Sequence, residues 1–303
     1  MKKYVISVSS IIVLLLIILG LSFVPWKSLG KDEKPIRVVT GLNFYGEVAQ
    51  KVAGNHGEVI SFIDNASVDP HDYQPSTKQA QQVANANIVI ENGLGYDSWM
   101  NKLVKSSDNR NKIKVIDVAS LIGKKDGDNE HIWYNPSTVK KLANDLANQY
   151  SKLDPQHAGE YKANARKYLK SLKPLDNEIA KVKKNVNPNN NQVAVSEPVF
   201  DYALEAAGYQ VMDEHFEKAV EDGNDPSPKD IEEIQQAITN HQIAFFVDNS
   251  QTSDKVIDNL VKLARENNVP VLKVTETKPN GDNYTEWMLK QYRALSEIQQ
   301  KEN

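Results

Sequence analysis

The chain of 303 residues contains no cysteine. That absence excludes disulfides, thiolate metal ligands and a cysteine nucleophile together. It leaves the compartment open, because many exported bacterial proteins also lack disulfides. Basic blocks interleaved with aromatics are missing too, so no face offers itself to phosphates and nucleic acid is not an expected partner. Charge of either sign is modest, with a formal net charge of -4. No low-complexity segment or short-period repeat occurs, and no His-Glu-x-x-His motif supplies the paired histidines and general base of a zinc protease. What is present is an ordinary globular composition, 40% hydrophobic and 25% charged. The length fits two domains with a core of adequate size.

The one long apolar run lies at the N-terminus, where Lys2 and Lys3 precede the uncharged residues 4–26. This reads as an export signal with its positive end held inside. The run is long enough to cross a bilayer core of about 30 Å as a helix. Gly20-Leu21-Ser22 also offers a small-x-small cleavage site, so a cleaved signal and a retained anchor both fit. In either case the chain from Lys27 onward is expected outside the cytoplasm, at the cell surface, membrane-anchored or secreted. A buried core helix is the poorer reading, because the run is terminal and is followed at once by the polar tether 27–34.

From Ile36 short β-branched runs alternate with amphipathic stretches, the pattern of βα units around a mostly parallel sheet. Strands are predicted at 36–40, 58–63, 87–91 and 112–118, then at 192–196, 210–213, 243–247 and 269–274. Four and four predict an α/β fold of two similar lobes. Between them Tyr161, Ala165, Tyr168, Leu172, Leu175, Ile179, Val182 and Val186 recur at steps of four and three, laying one apolar stripe along a helix. A coiled coil would carry such a stripe as well, but between two α/β halves it reads as a long rigid connecting helix packed on both, kinked at Pro174. The expected organisation is a signal or anchor helix and tether over 1–35, an N-terminal lobe over 36–153, the connecting helix over 154–187 and a C-terminal lobe over 188–303. The six acids between Asp213 and Asp225 read as a solvated loop.

His71, His131, Glu197 and Asp248 all fall at or just after the carboxyl end of a predicted strand. Strand ends in an open α/β sheet face one crevice, so residues this far apart in sequence can converge there. His71 sits between Pro70 and Pro75 in a stiffened loop, and His131 precedes Trp133 and Tyr134, which can wall a site from water. Glu197 and Asp248 each terminate an apolar run, Val193-Ala194-Val195 and Phe245-Phe246-Val247, where a carboxylate is costly unless paired or metal-bound. Taken singly, each histidine reads as solvated and each carboxylate equally as a helix cap or salt-bridge partner. Together they form a mixed nitrogen and oxygen donor set for zinc, manganese or iron(II). His56, His157, His215 and His241 lie at turns or helix boundaries, and solvent exposure is the expectation for them.

The sequence resembles the metal-binding solute receptors of ABC importers, the zinc and manganese group that includes streptococcal surface lipoproteins once called adhesins. The resemblance covers roughly residues 36–295. It rests on Pro70-His71-Asp72-Tyr73-Gln74-Pro75, Asn92-Gly93-Leu94-Gly95-Tyr96-Asp97-Ser98-Trp99-Met100, His131-Ile132-Trp133-Tyr134-Asn135-Pro136, Glu197-Pro198-Val199-Phe200-Asp201-Tyr202 and Val274-Thr275-Glu276-Thr277. It implies two lobes joined by one long helix, with a metal ion bound in the cleft and handed to a membrane permease. His71 and His131 match the first two ligand positions. Glu197 matches the third, which is glutamate in manganese-type members and histidine in many zinc-type ones. Asp248 is assigned as the fourth, with Asn249 and Asp254 as alternatives where 247–254 departs from the family pattern.

Two further departures stand out. The lipid-bearing cysteine usual after the signal in Gram-positive members is absent, so membrane attachment falls to the N-terminal helix. The stretch 123–130 ahead of His131 holds no histidine, unlike the histidine-rich loop of many zinc-specific members. The expected protein is a monomeric, non-catalytic receptor for one divalent transition metal, Mn2+ slightly favoured over Zn2+, partnered by an ABC permease. The alternatives are an exported metallohydrolase and a surface adhesin with a structural metal.

Overall fold

β-Branched runs alternate with helices to lay out two four-stranded sheets. The computed structural model describes residues 35–302 apart from 66, 67, 69, 71, 72 and 253. His71 and the apolar N-terminal segment therefore lie outside the described residues. Among the described residues no helix is long and apolar enough to cross a membrane.

The first half runs β1 (Ile36–Leu42), α1 (Asn43–Ala53), β2 (Gly57–Ile63), α2 (Thr77–Ala84), β3 (Ile88–Glu91), α3 (Ser98–Ser106), β4 (Lys114–Asp117), α4 (Val118–Ile122) and α5 (Thr138–Leu153). Two helices follow, α6 (Ala158–Ser171) and α7 (Lys173–Lys184). The second half runs β5 (Gln192–Val195), α8 (Asp201–Ala207), β6 (Gln210–Val211), α9 (Glu214–Glu221), α10 (Pro228–Thr239), β7 (Phe246–Asn249), α11 (Lys255–Glu266), β8 (Val271–Val274) and α12 (Tyr284–Glu302).

The sheets share one topology, β2-β1-β3-β4 and β6-β5-β7-β8, with every pair parallel. Parallel neighbours need crossover connections, and helices covering both faces are why most of β3 and of β5 read as unbroken apolar runs. In each sheet the strand order reverses at one place, between β1 and β3 and between β5 and β7. A crevice opens there beyond the carboxyl ends.

Residues 36–303 form one compact unit. A single apolar core runs through both sheets and includes Val38, Ile90, Trp133, Phe200, Val247 and Trp287. At its centre Phe44 meets Trp133 at 5.3 Å and Trp287 at 5.6 Å, and Tyr134 meets Phe200 at 5.0 Å between ring centroids. Such pairs contribute about 0.5–1.5 kcal/mol each beyond the area they bury. A second cluster, with Ile234, Phe246 and Leu260, packs α10 and α11 onto the second sheet.

Where one long helix was expected over 154–187, the chain forms two. Proline at 174 has no N–H and crowds the preceding turn. The backbone tightens there, Leu172 N donating to Leu169 O at 3.3 Å, and α7 begins anew with proline in its first turn. The apolar stripe divides accordingly: α6 packs on α1 and α5, whereas α7 packs on α8 and α12. The C-terminal helix α12 also ties the halves together. Tyr284 donates its backbone N–H to Glu47 Oε2 at 2.9 Å and its hydroxyl to Trp133 O at 2.6 Å, while Gln299 Nε2 reaches Val182 O at 2.9 Å.

Candidate metal centre

The segment after β3 organises the crevice. Gly93 takes φ +85°, and a Cβ there would stand 2.6 Å from Asp117 Oδ1, so the turn requires glycine. Inside the turn Asp97 accepts the N–H groups of Asn92 at 2.8 Å and Gly93 at 3.2 Å. Burial outweighs these bonds and pushes the Asp97 carboxyl up to about 6. From this fixed turn three contacts radiate. Asn92 Nδ2 donates to Glu130 O at 2.9 Å, beside His131. Trp99 Nε1 donates to Pro70 O at 3.2 Å, next to His71. Tyr96 donates its hydroxyl to Glu276 Oε1 at 2.6 Å, across the cleft.

His131 is fully buried. Asn129 Oδ1 accepts both the backbone N–H of His131 at 2.9 Å and the ring Nδ1–H at 2.9 Å. The amide orientation is fixed because Asn129 Nδ2 donates to Pro198 O at 2.6 Å. The proton therefore sits on Nδ1, and Nε2 presents its lone pair, the tautomer that a metal ligand needs. Trp133 and Tyr96 stand edge-on to the ring at 5.1 and 6.2 Å.

Glu197 follows β5 and is half-buried. Its Oε2 accepts Asn249 Nδ2 and Thr252 Oγ1, both at 2.6 Å. Two donors on one oxygen set the carboxylate's orientation and leave Oε1 outside these bonds.

Asp248 is not brought to this cluster. The expected strand 243–247 begins instead at Phe246, so Asp248 lies within β7 and Asn249 ends it. Successive side chains of a strand point to opposite faces. Asn249 faces Glu197, while Asp248 pairs in register with Lys273 and lies in the field of Lys273, Arg265 and Asp258. The two alternatives each have partners of their own. Asn249 orients Glu197, and Asp254 caps α11 by accepting Val256 N at 2.7 Å and Ile257 N at 3.3 Å.

The carboxylate that does arrive is Glu276, just after β8. The sequence signal was the one used for Glu197, an acid immediately beyond an apolar strand. The segment 213–225 also departs from expectation. It is not a loop of solvated acids, because 214–221 form α9, whose Phe216 is fully buried and whose Glu217 is 5% exposed. The helical spacing of Glu214, Glu217 and Glu221, with Phe216 between, was the available signal.

Glu221 closes the cluster. Its Oε1 stands 3.7 Å from His131 Nε2. Burial first, then the charges of Glu130, Glu276 and Glu197, push its carboxyl up to about 9. Three carboxylates thus bear on Glu221 beside an oriented imidazole, a crowding of negative charge that a divalent cation would offset. Beside it opens a cavity of about 900 Å³ between the two halves, lined by Leu94, Glu130, Pro198, Tyr202, Glu217 and Glu221 among others. In its wall burial raises the Asp201 carboxyl to about 7, and burial with the charges of Asp201 and Asp213 raises the Glu217 carboxyl to about 10.

Comparison with known proteins agrees with this architecture. The manganese-binding lipoprotein MntA of Halalkalibacterium halodurans is 27% identical over 187 residues, 60% of this chain and 61% of that protein's length. The metal ABC transporter substrate-binding lipoprotein FimA of Streptococcus parasanguinis is 25% identical over 84% of this chain and 85% of its own. Among solved structures, the solute-binding protein FpvC of Pseudomonas aeruginosa in complex with Mn2+ superposes with a TM-score of 0.71 at 21% identity, covering 89% of this chain and all of that one, which shows the shared fold. The family described as ZnuA, zinc-uptake complex component A, periplasmic, matches residues 38–298, and the chain belongs to it.

Proposed function

We propose that the chain is the extracytoplasmic binding component of a metal ABC importer, a receptor and not an enzyme. It captures one divalent transition-metal ion in the cleft and delivers it, as a monomer, to a membrane permease. The observation that carries the reading is the approach of Glu221 Oε1 to within 3.7 Å of His131 Nε2, with Glu197 and Glu276 close enough for their charges to act on the Glu221 carboxyl. We assign the ligands as His71, His131, Glu197 and Glu276. Glu276 replaces Asp248 in the set, and Tyr96, Asn129, Asn249 and Thr252 hold the ligands in place.

Oxygen donors make up at least half of this set, which suits Mn2+ better than an all-imidazole site would. Zn2+ binds mixed sites more tightly on the general affinity order, so the cargo is set by supply and geometry together. The name of MntA points the same way as the donor set, whereas the matching family is described by zinc uptake. Residues 4–26 are proposed to hold the protein at the membrane, since no cysteine is available for lipid attachment.

The test is metal accumulation. A host strain lacking this chain and grown under metal restriction should accumulate less Mn2+ or Zn2+, and recover with the wild-type chain but not with Glu197→Ala. Equal accumulation with and without the chain would refute the assignment.

A further inference from the structure

Two histidines expected to be solvated are instead brought together at the other end of the first sheet. His56 ends the tight turn Gly54–His56 between α1 and β2, and His157 ends the turn Pro155–His157 between α5 and α6. Because β2 begins at Gly57, opposite Ile36 of β1, this place lies at the amino ends of the strands. The cleft lies at their carboxyl ends, so the two places are separate.

The rings of His56 and His157 lie 3.7 Å apart at 20°. His157 Nδ1 is 2.6 Å from Asp154 Oδ2, and His56 Nε2 is 3.0 Å from Glu160 Oε2. One donor atom each from His56, Asp154 and His157 lies within 4.8 Å of the others, the one such group of three among the described residues. Tyr161 donates its hydroxyl to Asp154 Oδ2 at 2.5 Å. Partial burial pushes the Asp154 carboxyl up, but the bonds from Tyr161 and His157 outweigh it and hold the group below its usual range. Asp154 is thus a carboxylate already oriented by a neighbouring donor, as metal-bound carboxylates commonly are.

We propose that His56, Asp154 and His157 form a second, lower-affinity site for a borderline divalent metal such as Zn2+ or Ni2+, with Glu160 as an available fourth donor. Metal–donor bonds of about 2.0–2.2 Å place neighbouring donors about 3–3.5 Å apart. The set needs only a modest closure, and the stacked rings must turn so that their in-plane lone pairs meet at one point. Both side chains have room to do so, being 27% and 26% exposed. The exposure also explains a weaker affinity than in the cleft, since solvent competes and less of the site is held in advance.

Titration of the full chain with Zn2+, with bound metal counted by elemental analysis, tests this. The wild type should take up two equivalents in a tight and a weak step. His56→Asn and His157→Asn should each weaken the weak step at least tenfold and keep the tight one, and Asp154→Asn should act likewise. His131→Ala should lose the tight step and keep the weak one. A single equivalent in the wild type, a weak step unchanged in both histidine variants, or loss of both steps in His131→Ala would overturn the proposal. The first two outcomes leave the cleft reading untouched.

Discussion

Tyr96→Phe removes one oxygen from the protein and isolates the contact that joins the halves of the site. The Tyr96 hydroxyl is 2.6 Å from Glu276 Oε1, and Tyr96 is only 2% exposed. A hydrogen bond to a charged acceptor contributes about 1.5–3 kcal/mol. Loss of a residue that orients a metal-binding side chain weakens affinity by about 10–100-fold, which corresponds to about 1.4–2.8 kcal/mol. Phenylalanine keeps the ring against Trp133 at 5.0 Å, so the fold should persist. Competition for Mn2+ or Zn2+ against a chromophoric chelator reads the affinity, and thermal melting of the metal-free protein reads the stability. The expected result is a fall of about 10–100-fold in affinity with a small fall in melting temperature. A lower melting temperature with affinity unchanged within twofold would refute the reasoning. It would mean that Tyr96 staples the two segments without bearing on a bound ion.

Three other outcomes are expected. Glu276→Ala should abolish most metal-induced thermal stabilisation while Asp248→Ala leaves it intact, because only the former is held by Tyr96 and acts on Glu221 in the cleft; the reverse result would return the fourth ligand to β7. Gly93→Ala should cost about 1–3 kcal/mol in urea unfolding, because a side chain at positive φ is strained and its Cβ would meet Asp117 Oδ1 at 2.6 Å; an unchanged midpoint would show that the turn relaxes freely. Burial raises Asp97 to about 6, and burial with the charges of Asp97 and Asp117 raises Glu91 to about 7. Between the ordinary carboxylate value of about 4 in the unfolded chain and these raised values, the folded state binds more protons than the unfolded one. The associated stability is therefore present at low pH and lost as pH rises, at about 1.4 kcal/mol for each pH unit that separates the folded and unfolded values. Metal-free protein should lose stability from about pH 4 to about pH 7, and Asp97→Asn should flatten that slope; an equal slope in the variant would contradict the assignment.

Much of this was legible in the sequence for identifiable reasons. Strands buried on both faces are written as short apolar runs, and each of the eight strands overlaps a run that the pattern predicts. Where a strand begins is fixed by pairing, which the pattern does not record. Phe246 takes its partner from Pro270 O at 2.9 Å, and the resulting shift from residue 243 to 246 turned Asp248 from a strand end into an interior residue. Glu276 obeyed the same strand-end rule as Glu197 but stood in a motif used only for the resemblance. Glu221 was hidden for another reason. Six acids in thirteen residues read as solvated, and only the burial of Phe216 turns one face of α9 inward. The pairing of His56 with His157 depends on how α1 packs against α5 and α6, a tertiary fact without a local signature.

The most direct test of the central claim is a crystal structure of the metal-loaded protein, with anomalous scattering collected at the Mn and Zn absorption edges. The account predicts one strong peak in the cleft, about 2.0–2.2 Å from His131 Nε2 and from carboxylate oxygens of Glu197 and Glu276, with His71 completing the shell. A cleft peak bound by Asp248 instead of Glu276, or no peak within reach of His131 in a protein shown to carry metal, would contradict it.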